Sequence, residues 1–141
     1  MSALVEDIPR EGLIALPSSF EHGDTLTRLE ASIRANGMSV LARIDLAAFA
    51  AEAGIPLRPS VVLMFGDPAA HATLAQALPS IAVDLPFKVL VCRDETGMTW
   101  LWYNDLRWLA RRHGHWRDIE CLVKDLAVSL DSVARKAGSP P

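Results

Sequence analysis

"FKVLVCRDETGMTWLWYND", residues 87 to 105, holds two runs rich in branched and aromatic residues, joined around Glu95-Thr96-Gly97. Two strand-like runs meeting at a glycine-bearing turn predict a β-hairpin. A hairpin forces antiparallel pairing, whereas strands alternating with helices also fit a parallel sheet, so this segment decides the fold. Working back from it, "PSVVLMF" (59 to 65) predicts a strand covered on both faces or one at the centre of a sheet, and "PAAHATLAQAL" (68 to 78) a helix. Before these, "SVLARID" (39 to 45) predicts a strand and "LAAFAAEAGI" (46 to 55) a helix capped by Asp45 and stopped by Gly54. "GLIALPSS" (12 to 19) predicts a first strand. "HGDTLTRLEASIRANG" (22 to 37) predicts a helix, with Asp24 or Thr25 as cap, Leu26, Leu29 and Ile33 as its apolar stripe, and Asn36-Gly37 as its stop.

"PSIAVDLP" (79 to 86) predicts a proline-bounded connection into the hairpin. From Leu106 onward the chain predicts two helical pieces separated at His113-Gly114-His115. The second carries Ile119, Val123, Leu126, Leu130 and Val133 as a stripe that needs a partner, and the residues from Lys136 to the end predict a frayed terminus. The order β-α-β-α-β-α-β-β-α predicts an α+β fold rather than a doubly wound parallel sheet. Its sheet is mixed but mainly antiparallel, of about five strands, in two layers with the helices that cover it.

Composition narrows the function classes. The chain has 141 residues, half of them apolar, enough for one domain (residues 1 to 141) with its own core. No apolar run reaches the roughly 18 to 20 residues of a membrane span, and the acidic start "MSALVEDIPREGL" lacks the basic flank and apolar stretch of a secretory signal. The expectation is a cytoplasmic protein without a membrane partner. Cys92 and Cys121 stand in predicted strand and helix without CxxC spacing, and predict buried free thiols rather than a disulfide or zinc site. His22, His113 and His115 lack ligand spacing as well, so neither metal nor cofactor is expected. Fourteen basic residues against seventeen acidic ones, net charge -3, give no general attraction to nucleic acid.

Three quoted motifs, "FGDP", "VDLPFKVLV" and "WLWYND", occur here in an order and at separations that resemble the family catalogued as domain of unknown function 302. The resemblance covers roughly residues 12 to 110, including the "RID" before the second helix, and leaves a helical extension at about 106 to 137. It implies a small α+β domain that pairs as a homodimer. The family favours asparagine where this chain has Asp67, lysine at Ala69, Gly-Thr at His71-Ala72, histidine at Leu46 and proline at Leu106.

"MFGDPAAHATL" (64 to 74) has both a structural and a chemical reading. Structurally, Gly66 allows a sharp exit from the strand, Asp67 caps the helix and Pro68 occupies its first position, where no N–H is needed. Phosphate binding is disfavoured there, because Pro68 removes a donor and Asp67 adds negative charge. Chemically, Asp67 and His71 stand four positions apart, as an acid and base on one helical face do. With Asp84 and Tyr103 they make the candidate catalytic set of an enzyme acting on a small molecule.

All four tryptophans, Trp100, Trp102, Trp108 and Trp116, fall together, with Tyr103, Arg107, Arg111, Arg112 and Arg117 among them. Such a cluster suits an interface or core; Asp105, Asp118 and Glu120 dilute it as a nucleic-acid site. On alternation Trp100 and Trp102 share one strand face, Leu101 and Tyr103 the other. The leading expectation is a non-catalytic homodimeric domain that binds a small, largely apolar ligand between sheet and helix, through Phe65, Asp67, His71, Trp100, Trp102 and Tyr103. The alternatives are the enzyme just described and a protein-interaction module presenting the tryptophans and the last helix.

Overall fold

The structure, a computed structural model, describes residues 11 to 114 and 117 to 141; the expectations placed on His115, on Trp116 and on the first ten residues lie outside these. Five strands, β1 (Leu13–Ser18), β2 (Ser39–Asp45), β3 (Ser60–Gly66), β4 (Phe87–Arg93) and β5 (Thr99–Asn104), form one sheet in the order β1-β5-β4-β3-β2. Every pairing is antiparallel. The expected α+β fold is therefore present, with its hairpin at the sheet's centre. Between and after the strands lie α1 (His22–Ala35), α2 (Leu46–Glu52), α3 (Pro68–Ala77), α4 (Leu106–Arg112) and α5 (Glu120–Gly138). The connection at 79 to 86 is more regular than a loop, since Pro79–Asp84 forms a 3-10 helix that buries Ile81.

Alternation along the central strands separates two faces. Val61, Leu63 and Phe65 of β3, Phe87, Val89 and Val91 of β4, and Leu101 and Tyr103 of β5 are buried. They share one apolar cluster with Leu26, Leu29 and Ile33 of α1, Leu106 and Leu109 of α4, and Val123, Leu130 and Val133 of α5. Burying a leucine or phenylalanine of this kind contributes roughly 1.5 to 3 kcal/mol each, so this layer is the main source of stability. The stripe on α5 thus finds its partner in α1 and the sheet of its own chain, and supplies no argument for a dimer.

Two local expectations change. α1 begins at His22, with Glu21 in the capping position and no side chain bonded there; Thr25 instead donates to the Glu21 carbonyl at 2.9 Å and shares a 2.7 Å bond with Ser18. Thr25 is buried within the first turn, where its hydroxyl ties β1 to α1 rather than capping. The terminus is not frayed at Lys136. Arg28 of α1 donates to the carbonyls of Lys136 (3.0 Å), Ala137 (3.1 Å) and Ser139 (2.7 Å), with its guanidinium 4.0 Å above the Phe20 ring. The last carbonyls of a helix lack partners within it, and a cation there also meets the negative end of the helix dipole. Ser19 N–H completes the closure on Gly138 at 2.7 Å.

Replacing Arg28 by alanine is expected to cost about 1 to 2 kcal/mol in a denaturant melt, because three carbonyls lose a charged donor. Amide exchange in the last turn of α5 should accelerate while the centre of the sheet stays protected. Unchanged exchange there would show that helix packing alone holds the terminus.

Candidate functional site

Asp67 sits where β3 hands over to α3, and its carboxylate accepts the Ala70 N–H at 3.0 Å, as an N-cap does, with Pro68 in the first turn. The reason for glycine at 66 differs from the one expected. Gly66 is absent from the left-handed region that the chain's other turn glycines occupy; instead, a Cβ here would overlap the His71 ring. The glycine supplies room, and the imidazole takes it. His71 lies edge-on to Phe87, centroids 4.5 Å apart, and Phe87 meets Phe65 at 6.1 Å, also edge-on.

Both His71 ring nitrogens are buried, and neither finds a hydrogen-bond partner among the described residues. Burial lowers the His71 pKa from its ordinary value, against a smaller opposing pull from Asp67. The Asp67–His71 pairing is thus electrostatic, with Asp67 spent on the cap and His71 pressed against aromatic rings.

The other members of the expected set lie elsewhere. Tyr103 points from the buried face of β5 to α5, where its hydroxyl donates to Asp131 at 2.6 Å; Arg135 holds the other Asp131 oxygen at 2.8 Å. Burial, then the bond to Asp131, pushes the Tyr103 pKa up. This is a clasp between sheet and helix, and the phenol keeps its proton. Asp84, at the end of the 3-10 helix, accepts Arg112 Nη1 on both oxygens at 3.2 Å and the His113 ring on one of them. Asp67 and His71, Tyr103, and Asp84 therefore occupy three places with three different sets of partners.

Trp100 and Trp102 lie on the sheet face opposite the helices, both half-buried, their rings 6.4 Å apart. Trp100 donates its indole N–H to Asp94 at 2.9 Å; the bonds from Thr96 and then Trp100 hold the Asp94 carboxyl far below the usual carboxylate range. Trp102 shares a side-chain bond with Cys92, whose thiol pKa burial raises. Both cysteines are free, but the expected burial is only partial at Cys92 and fails at Cys121, which is exposed because it falls off the apolar stripe of α5. Read across the ladder, Ala15, Trp102, Leu90, Val62 and Ile44 stand side by side, one from each strand, as an apolar row across the whole open face. Pro17, Trp100 and Cys92 line up in the next row. The space between sheet and helices is filled by side chains such as Leu29, Ile33, Leu63, Val89 and Val133, none with any exposure. The interior expected to receive a ligand is thus core, and no group of His, Cys, Asp and Glu among the described residues could hold a metal ion.

The model of the family described as Domain of unknown function DUF302 matches residues 14–137. The chain belongs to this family. Its match runs through α5, which accordingly forms part of the family's domain. An uncharacterised conserved DUF302 protein from Bacillus stearothermophilus has the same fold: TM-score 0.82, 19% identity, covering 91% of this chain and 99% of that one. The fluoride-specific ion channel FluC 1 of Brucella suis is 33% identical over 126 residues, 89% of this chain and 50% of its own length. FluC 2 of Brucella melitensis is likewise 33% identical, over 47% of its length. The chain spans about half the length of these curated relatives.

The buried ring nitrogens of His71, without a hydrogen-bond partner among the described residues, make stability fall with acid. Above about pH 6.5 the ring is neutral in both folded and unfolded chains, so it contributes no pH dependence. Below that the unfolded chain takes up the proton first, and stability is lost as pH drops. Melts at pH 7.5 and 5.5 should show this loss in the wild type and a smaller one in His71→Leu. Asp67→Asn, which keeps the cap acceptor, should melt near wild type, whereas Asp67→Ala should lose about 0.5 to 2 kcal/mol. A lower melt for asparagine than for alanine would remove the capping account.

Proposed function

We propose that this chain is a homodimeric domain that pairs through the open face of its sheet. The observation that carries this reading is the apolar row Ala15, Trp102, Leu90, Val62 and Ile44, which crosses every strand on the face opposite the helices. Five strands spaced about 4.8 Å apart, six residues long at about 3.3 Å each, give a face of about 24 by 20 Å. The segment between β2 and β3 also exposes large apolar side chains, Phe49, Ile55 and Leu57, by 70%, 60% and 49%. The sheet face, about 480 Å², is more than half of the roughly 800 Å² per partner of a standard interface, and apolar patches of this extent mark contact surfaces. A second copy suits the face because two such sheets can stack about 10 Å apart and interleave their side chains. Trp102, on β5 next to the central strand, supplies the large anchor that stable interfaces use.

The curated relatives connect the reading to a setting. They are named as fluoride-specific ion channels, and this chain corresponds to half of their length. No helix among the described residues is long and apolar enough to cross a membrane. In this reading the domain accompanies a conducting part and pairs subunits beside it, without forming the pore.

Light scattering at micromolar concentration is expected to give twice the 15.4 kDa chain mass. Trp102→Glu should give a folded monomer, because its side chain leaves the helix-covered core intact while placing a charge in the paired face. A wild-type monomer across that concentration range would reject the homodimer.

A further inference from the structure

Asp84 has other company than the enzyme reading gave it. Ser80 and Asp84 stand four residues apart on the 3-10 helix Pro79–Asp84, and His113, the residue that closes α4, bonds to both. Ser80 Oγ is 2.8 Å from His113 Nδ1, and His113 Nε2 meets Asp84 Oδ2 directly. The His113 side chain is only 8% exposed and that of Asp84 18%, whereas Ser80 faces solvent.

The partners assign the tautomer. An ionised carboxylate only accepts, so the ring nitrogen bonded to Asp84 carries the proton, and a neutral ring then presents its lone pair at Nδ1. In that form of the ring Ser80 is the donor to the lone pair. A hydroxyl given to a base, with the base oriented by an acid on its far side, is the arrangement that activates a serine. The two ring nitrogens exchange the parts they play in serine proteases, which leaves the proton path unchanged. Arg112 fixes both Asp84 oxygens independently at 3.2 Å. A clamp between the 3-10 helix and α4 needs only these contacts to Asp84; a solvent-facing serine on the other nitrogen adds nothing to it.

We propose that Ser80 is the nucleophile, His113 the general base and Asp84 the positioning residue of a site that hydrolyses small carboxylic esters. Ser80 Oγ bonds to the ester carbonyl carbon while its proton passes to His113 Nδ1. The bond to the leaving oxygen breaks as His113 returns that proton to the departing alcohol. Water, deprotonated by the same nitrogen, then attacks the acyl-serine, and the acid leaves as Ser80 regains its proton. An open cleft of about 600 Å³ lies beside Arg112, lined also by Glu11, Gly12, Trp108 and Arg111. Arg111 makes no ion pair among the described residues, and with the Trp108 indole it suits an ester that carries an aromatic or anionic group.

The test uses the full chain, 4-nitrophenyl acetate and a fluorophosphonate probe. Wild type is expected to release nitrophenol above the buffer rate and to gain the phosphonyl mass on the peptide containing Ser80. Ser80→Ala, at an exposed position, should melt like wild type and lose both signals. His113→Gln should lower turnover by about 100-fold or more. Asp84→Asn should move the pH at which the rate is half-maximal, a change that loss of a structural contact alone does not cause. Folded wild type with no label on Ser80, or Ser80→Ala with wild-type turnover, would overturn the assignment. No residue of the open sheet face takes part in a step, so label on Ser80 does not require the dimer, and a failure here and a failure of the dimer reading are told apart by mass and by label.

Discussion

Everything in this molecule follows from covering one face of an antiparallel sheet and leaving the other bare. Side chains alternate across the pleat, so β3, β4 and β5 each divide into a buried set and a half-buried set. With α1, α4 and α5 gathered on one side, the first set becomes core, and the second must meet water or another surface. A one-residue slip in register would exchange the sets, placing Trp100 and Trp102 inside and Leu101 and Tyr103 outside. The ties at the ends of the layer act against such a slip. Tyr103 is fastened to Asp131 across the helical layer, and Arg28 closes the end of α5.

Much of this frame was legible because it rests on local patterns. The hairpin and the cap at Asp45, which accepts the Ala48 N–H at 2.9 Å, are written in neighbouring residues, as is the stop at Gly37 with its φ of 75°. The division of β5 into tryptophan and core faces follows from alternation alone. What was not legible depends on residues far apart in the chain. Arg28 reads as an ordinary exposed helix charge, and its partners lie 108 to 111 residues away. The stripe on α5 signals a need for a partner but cannot say that α1 and the sheet of the same chain meet it.

The candidate site shows the same limit more sharply. Spacing of four on a helix put Asp67 beside His71, and they do interact, but the sequence holds no sign that Gly66 leaves a hollow for the imidazole. Asp84 was selected without its companions. Ser80 precedes His113 by 33 residues, and His113 read as one half of a histidine-glycine-histidine turn without ligand spacing. Only the packing of the 3-10 helix against α4 brings them into contact. The available signal was a serine and an aspartate four apart in a proline-bounded segment, which is too common to single out.

The two surfaces that lack an internal explanation lie on opposite sides of the fold. The apolar row belongs to the open face of the sheet, whereas Ser80, His113 and Asp84 stand on elements whose neighbours Ile81, Leu109 and Ala110 are buried in the helical layer. Stacking a second sheet on the open face therefore leaves the serine exposed. The chain path between them is short: β5 carries Trp102 on its open face and leads through Asp105 into α4, which ends at His113. Asp105 caps α4 by accepting the Arg107 N–H at 3.0 Å, so the helix starts rigidly from the strand. A shift of β5 on pairing would be carried along α4 to the imidazole, where the hydrogen bond to Ser80 depends on a position held within a few tenths of an ångström.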